Sequence, residues 1–160
     1  TTPWQLQFVS GGPVLPQPVT LDTIRCWTRL GNNDMNRFSG VASYTTTFHL
    51  KKNAADYLLQ LDQLYETARV YINDREVGVV WALPATLRVG EYLHNGDNTI
   101  RIEVANLMAN RIRWMDQQGM SWRNFREINF VNIAYKPFDA SKWDVQPSGV
   151  DAPVVLVPVE

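Results

Sequence analysis

Glu66-Thr-Ala-Arg-Val-Tyr-Ile-Asn-Asp-Arg-Glu-Val-Gly-Val-Val80 is the stretch that decides the fold. Ala68, Val70 and Ile72 alternate with Arg69 and Tyr71, so an extended chain here buries one face and wets the other. Asn73-Asp74 supplies a two-residue turn, because both residue types tolerate positive φ, and a second run through Val77 and Val79 returns. The stretch is therefore read as a β-hairpin. Beyond it come a loop, Trp81-Ala-Leu-Pro84, a short strand from Thr86 to Val89, the turn His94-Asn-Gly-Asp-Asn98, and a strand from Thr99 to Val104 with Ile100, Ile102 and Val104 on one side.

The same grammar extends towards the N-terminus. Tyr57 to Leu61 is more continuously apolar, as expected of a central strand covered on both faces. Val41 to Leu50 places Tyr44, Thr46, Phe48 and Leu50 on one face and is rich in β-branched residues. Lys51-Lys-Asn53 turns the chain between these two strands. Trp4 to Val9 alternates and is read as an edge strand, ended by the loop signal Gly11-Gly12-Pro13 with Pro16 and Pro18. Val19 to Arg29 carries either a short strand or one helical turn, broken by Gly31-Asn-Asn-Asp34. Pro153 to Val159 closes the chain as a strand whose prolines suit an edge. The expected fold is an all-β antiparallel sandwich over residues 1–160, with Tyr44, Phe48, Leu59, Val70, Ile72, Ile100, Ile102 and Val104 facing inward.

Between them, Asn106 to Ala152 is a long irregular segment without alternation. It concentrates Trp114, Trp122, Trp143, Phe125, Phe130, Tyr135 and Phe138 with Arg111, Arg113, Arg123 and Arg126. One short helix, Ala109 to Gln118, is expected there, ended by Gly119. An irregular stretch of that length is functional or packs on something outside it.

Composition narrows the partners. The chain has 160 residues, 45% of them hydrophobic, with 15 basic and 16 acidic side chains and a formal charge of −1. That is one ordinary globular domain with no field to draw nucleic acid or an anionic membrane, so a neutral partner is the simplest inference. A single cysteine, Cys26, forms no internal disulfide and is read as core. No apolar run is long enough for a membrane span, and Thr1-Thr2-Pro3 is not a signal peptide, so the sequence is that of a cytosolic protein or a mature or excised piece.

Several separated segments carry a resemblance. Phe38-Ser-Gly-Val-Ala-Ser-Tyr44, Ala68 to Gly78 followed by Trp81, and Gly96-Asp-Asn-Thr-Ile-Arg-Ile-Glu-Val-Ala-Asn-Leu-Met-Ala-Asn-Arg111 resemble the sugar-binding-type β-sandwich of glycoside hydrolase family 2. Asn106 to Arg111 and the tail Tyr135-Lys-Pro-Phe-Asp-Ala-Ser-Lys-Trp143 through Pro147-Ser-Gly149 resemble most the C-terminal sandwich of bacterial α-L-rhamnosidases similar to family 106. The likeness covers roughly residues 38 to 157. It implies a galactose-binding-like jelly roll, in a secreted or periplasmic polysaccharide-degrading bacterial setting. In such enzymes the catalytic carboxylates belong to a separate barrel domain, for which this chain has no room.

The residues argue the same way. A glycosidase needs two carboxyls about 5 Å or about 6.5 to 9.5 Å apart, and no spacing among Glu66, Asp116, Glu127, Asp139 and Asp144 converges a pair. His49 lies on an outer strand face and His94 in a turn, and no Ser or Cys has an elbow motif, so no catalytic residue is assigned. No cofactor or metal is expected; Asp97-Asn98 and Asn73-Asp74 offer hard oxygen ligands for a structural calcium, but turn formation alone explains Asx residues there.

A sugar site wants an aromatic platform for apolar C–H faces beside planar donors and acceptors. Trp81, Asn110, Arg111, Trp114 and Trp122 fit that description as carbohydrate-binding candidates. The competing reading is that the tryptophans close the sandwich end or pack on a neighbouring domain, with Arg111 and Asn106 tying down a loop through backbone carbonyls. Three function classes follow: a noncatalytic carbohydrate-binding module taking an oligosaccharide or polysaccharide, a packing unit against the catalytic domain of a parent enzyme, and, last, a small independent glycosidase.

Overall fold

A computed structural model of the chain describes residues 2–123, 131 and 133–159; Phe125, Arg126, Glu127 and Phe130, singled out above, lie outside the described residues. The strands are β1 (Trp4–Gly12), β2 (Val19–Leu21), β3 (Ser39–Leu50), β4 (Asp56–Tyr65), β5 (Thr67–Ile72), β6 (Arg75–Val80), β7 (Thr86–Arg88), β8 (Gly96–Ala105) and β9 (Gly149–Val159). Two helices, α1 (Asn33–Arg37) and α2 (Ala109–Gln117), and 3-10 turns at Trp27–Arg29 and Gly90–Tyr92 complete the described elements.

These strands form an antiparallel galactose-binding-like sandwich, with one sheet of order β2-β1-β3-β8-β5-β6 and a smaller one of order β7-β4-β9. The chain crosses between sheets after β3, β4, β6, β7 and β8. Glu66 alone separates β4 from β5, and that abrupt crossing puts it at φ 82. Tyr44, Leu59, Val70, Ile72, Ile100, Ile102 and Val104 are buried between the sheets, with half-buried Phe48 packed against them.

The organising hairpin forms as its residues require. Asn73 and Asp74 take φ 51 and 62, the left-handed pair that matches strand twist, and Ala68, Val70 and Ile72 face inward. Its second strand differs from expectation. A bulge between Val70 and Tyr71 makes Val77 the extra residue, so Val80 opposite Ala68 faces in and Val79 is exposed.

Other departures have similarly local causes. β1 is not the edge, because Val19–Leu21 pairs with Trp4–Leu6, and β1 continues through Gly11 and Gly12 by pairing with Gly40 and Ser39. Glycine is needed there, since the two backbones approach so closely that a Cβ on Gly11 or Gly40 would overlap the opposite strand. The Gly31–Asp34 break is instead a helix start, with Asn32 Oδ1 accepting from the N–H groups of Asp34 and Met35. Val19–Arg29 holds both alternatives, a strand and a 3-10 turn. β9 is an edge as expected but begins at Gly149 rather than Pro153. The Asx residues weighed for calcium serve the turns: Asn73 Oδ1 accepts from Thr99 N, and Asn98 Oδ1 accepts from Asn73 Nδ2 and His94 N.

Trp27 plugs the core. Its ring meets Phe8 and Phe38 edge-on at 5.8 and 6.0 Å and stacks on Tyr44 at 6.4 Å. The β9 backbone closes over it at Gly149, where a Cβ would overlap Tyr44 Oη and lie 3.0 Å from the Trp27 ring. Beside it the Cys26 thiol is pushed up to about 12, first by burial and then by the Asp151 carboxylate, and burial raises Tyr44 as well.

These contacts generate testable outcomes. Ile102→Ala should cost about 2 to 5 kcal/mol and Arg101→Ala, on the opposite face, about 1; equal shifts in urea midpoint would show the register to be wrong. Gly149→Ala should cost about 3 kcal/mol or more, because left-handed φ and overlap combine. Gly31→Ala, also at positive φ but in open space, should cost about 1 to 2 kcal/mol; equal losses would remove the packing role assigned to Gly149.

A pH dependence follows from the raised groups. The unfolded chain ionises cysteine near about 8.5 and tyrosine near about 10, whereas the folded chain keeps both protons. Stability should be fully present below about pH 8.5 and fall as pH rises towards the folded value of Cys26, about 12. Urea midpoints that stay flat between neutral pH and about 10.5 would contradict this.

Candidate functional site

The candidate surface is built on α2, and buried amides fix where α2 sits. Asn106, at the end of β8, donates from Nδ2 to Phe38 O at 3.0 Å and accepts from Gly40 N at 2.9 Å. Asn110, buried, accepts from Gln146 N at 2.8 Å and donates to Gln146 O at 2.9 Å. Both reach Ser148 Oγ, so α2, the start of β3 and the approach to β9 are locked together. The helix ends where expected, with Gly119 at φ 64 taking the left-handed position.

Past Gly119 the chain folds back along the helix. The Trp122 indole N–H donates to Asp116 Oδ1 at 2.6 Å, and Asp116 Oδ2 accepts from Ala140 N at 2.8 Å. Arg123 lies 5.1 Å from the Trp122 ring centroid, pairs with Asp116 at 3.4 Å and donates to Phe138 O. Phe138 meets Trp122 edge-on at 6.1 Å and Trp143 at 5.4 Å. The result is an open cleft of about 560 Å³ lined by Asp116, Ser121, Trp122, Arg123, Phe138 and Asp139.

Two carboxylates weighed as catalytic candidates thus reach one cleft. Asp116 is nearly buried, accepting from Trp122, Ala140 and Arg123. The Ser141 backbone N–H, at 2.8 Å, holds Asp139 below the ordinary carboxylate range. A glycosidase acid needs its pKa raised, whereas that of Asp139 is lowered, and the Asp116 oxygens are taken up in accepting hydrogen bonds. Glu66 is exposed at the β4–β5 corner and Asp144 is exposed beyond Trp143. Among the described residues no group of three or more His, Cys, Asp or Glu is placed to hold a metal ion.

The five sugar-site candidates do not converge. Asn110 points inward and uses its amide in the Gln146 tie. Arg111 lies over β1, its Nη1 3.0 Å from where a Cβ of Gly12 would stand. Trp114 faces α1, with the Arg37 guanidinium 4.9 Å from its ring centroid. Trp122 opens into the cleft described above. Trp81 stands apart on the β6–β7 loop, 76% exposed, beside Leu83 at 80%. Sequence reasoning missed the partners of Trp122: Asp116 lies six positions away with no motif linking them, and Phe138 arrives only through the fold.

With this geometry in view, the relatives are informative. The family described as glycosyl hydrolase 2 galactose-binding domain-like matches residues 31–154. A putative beta-glucuronidase of Formosa agariphila is 32% identical over 113 residues, 68% of this chain and 10% of its own length. A rhamnosidase from Novosphingobium sp. PP1Y superposes with a TM-score of 0.77 at 25% identity over 97% of this chain. A Bifidobacterium dentium beta-glucuronidase shares the fold at a TM-score of 0.53 and 19% identity over 64% of the chain. The chain spans 14% of that rhamnosidase's chain and 19% of that glucuronidase's. The match over residues 31–154 shows that the chain belongs to the glycosyl hydrolase 2 galactose-binding domain-like family.

Proposed function

We propose that the chain is a noncatalytic sandwich module of a polysaccharide-degrading, α-L-rhamnosidase-like glycoside hydrolase, in a secreted or periplasmic bacterial setting, and that it holds a neutral oligosaccharide in the Trp122 cleft. The observation that carries this is the cleft's composition. An aromatic ring braced by Asp116 stands beside carboxylate, hydroxyl and guanidinium groups in a space of about 560 Å³, which suits a saccharide of one or two residues. Two carboxylates against one guanidinium favour hydroxyl donors over an anionic sugar. The acceptor roles of Asp116 and Asp139 support the noncatalytic reading. The rhamnosidase likeness, over nearly the whole chain, supports the choice of parent enzyme.

A second reading, a packing module without a sugar site, rests on a different surface. Trp81 and Leu83 follow β6, and exposed Leu107 and Met108 follow β8. Val80 pairs with Ala68 and Ala68 with Val104, so both sets leave the large sheet at the same end. An apolar end of that kind fits a neighbouring catalytic domain.

Titration calorimetry with rhamnose-containing oligosaccharides distinguishes the two. Wild type should bind, Trp122→Ala should weaken binding by about 1 to 2 kcal/mol, roughly tenfold, and Trp122→Phe should keep part of the stacking. No heat from any neutral glycan, together with self-association in light scattering that Trp81→Ser and Leu83→Ser abolish, would favour the packing module instead.

A further inference from the structure

On the other side of α2 lies a second cleft of opposite charge. It occupies about 600 Å³ between α1 and α2 and is lined by Asn33, Asp34, Arg37, Arg113, Trp114 and Gln118 among others. Both arginines are held in place by the protein. Arg37 donates from Nε and Nη2 to Asp34 Oδ1 at 3.1 and 2.6 Å and lies over the Trp114 ring. Arg113 donates from Nε to Trp143 O at 2.5 Å and from Nη1 to Gln117 Oε1 at 3.2 Å. Arg37 is matched by a carboxylate, whereas Arg113 meets only neutral acceptors among the described residues. Two guanidinium groups outweigh one carboxylate and the roughly half negative charge at the C-terminal end of α2.

We propose that this α1–α2 cleft binds an acidic saccharide through its carboxylate, as a subsite separate from the Trp122 cleft. A guanidinium already oriented by its own hydrogen bonds loses little freedom on meeting a carboxylate, and the pair forms charge-assisted bonds. Asn33 and Gln118 carry the planar amides that recognise ring hydroxyls. The uncompensated charge of Arg113 is what distinguishes this cleft from the neighbouring one, where Arg123 is paired with Asp116. The proposal rests on the reading of the chain as a carbohydrate-binding module, but its test uses a different ligand and different residues.

The experiment is titration of trigalacturonate, its methyl ester and a sulfated neutral trisaccharide into the chain at low and moderate salt. Wild type should bind trigalacturonate, with the ester about tenfold or more weaker and affinity falling as salt rises. Arg113→Gln should lose about tenfold, Arg37→Gln a similar amount, and Arg113→Lys should retain part of the binding. Trp122→Ala should leave trigalacturonate binding unchanged, which separates failure here from failure of the neutral-sugar cleft. Both glutamine variants should keep the wild-type circular dichroism spectrum, and the backbone amides of residues 33 to 37 and 113 to 118 should shift on titration. Equal affinity for acid and ester, tighter binding of the sulfated sugar, unchanged affinity in Arg113→Gln, or shifts confined elsewhere would each overturn the proposal.

Discussion

Everything in this fold leans on the way Trp27 is enclosed. A tryptophan buried between two sheets of unequal width needs neighbours from both, and it takes Phe8 from β1, Phe38 from the end of α1, Tyr44 from β3, and the bare backbone of Gly149 from β9. The short segment that carries it is tied on either side. Cys26 N donates to Asp151 Oδ1 at 2.8 Å, Trp27 N to Ser148 O at 3.1 Å, and Tyr44 Oη to Arg25 O at 2.9 Å. Those bonds bring the last strand against the third, so the sandwich cannot close without the plug, nor the plug be buried without the last strand.

The same closure positions the candidate surface. Ser148 sits next to Gly149 and is also the point where Asn106 and Asn110 meet. Packing of the core is therefore coupled through one hydroxyl to the placement of α2, and α2 carries Arg113, Trp114 and Asp116, which define the clefts on its two sides. The two clefts differ in charge because Asp116 neutralises Arg123 while Arg113 is left to carbonyl and amide oxygens. A module built this way can present different chemistry on neighbouring surfaces without any change in its sheets.

How much of this could be read beforehand follows the range of the interactions. Period-2 alternation is local, so the strands from Val41 to Val104, the inward set and the Asn73-Asp74 turn were legible. The Gly119 stop of α2 was legible for the same reason. The bulge at Val77 was not, because it depends on pairing geometry between strands, and it reversed the facing of Val79 and Val80. The start of α1 was written in Asn32 and Asp34 but resembled a simple chain break. Of the site, Trp122 and Trp114 could be singled out by residue type, whereas their orientations could not, since Asp116 and Arg37 fix them through the fold. Asn110 has the chemistry of a sugar ligand, and long-range closure directs it to Gln146 instead.

The central claim is that saccharide recognition sits on the surface flanking α2, outside the sheets. Two-dimensional NMR of the labelled chain during titration with a rhamnose-containing oligosaccharide tests it directly, because each tryptophan indole N–H is its own reporter. The account predicts that the Trp122 indole signal and the backbone amides of residues 116 to 122 and 138 to 141 shift, while the buried Trp27 indole and the strand amides stay in place. Shifts confined to the outer faces of the sheets, or a spectrum that does not change at saturating sugar, would contradict it.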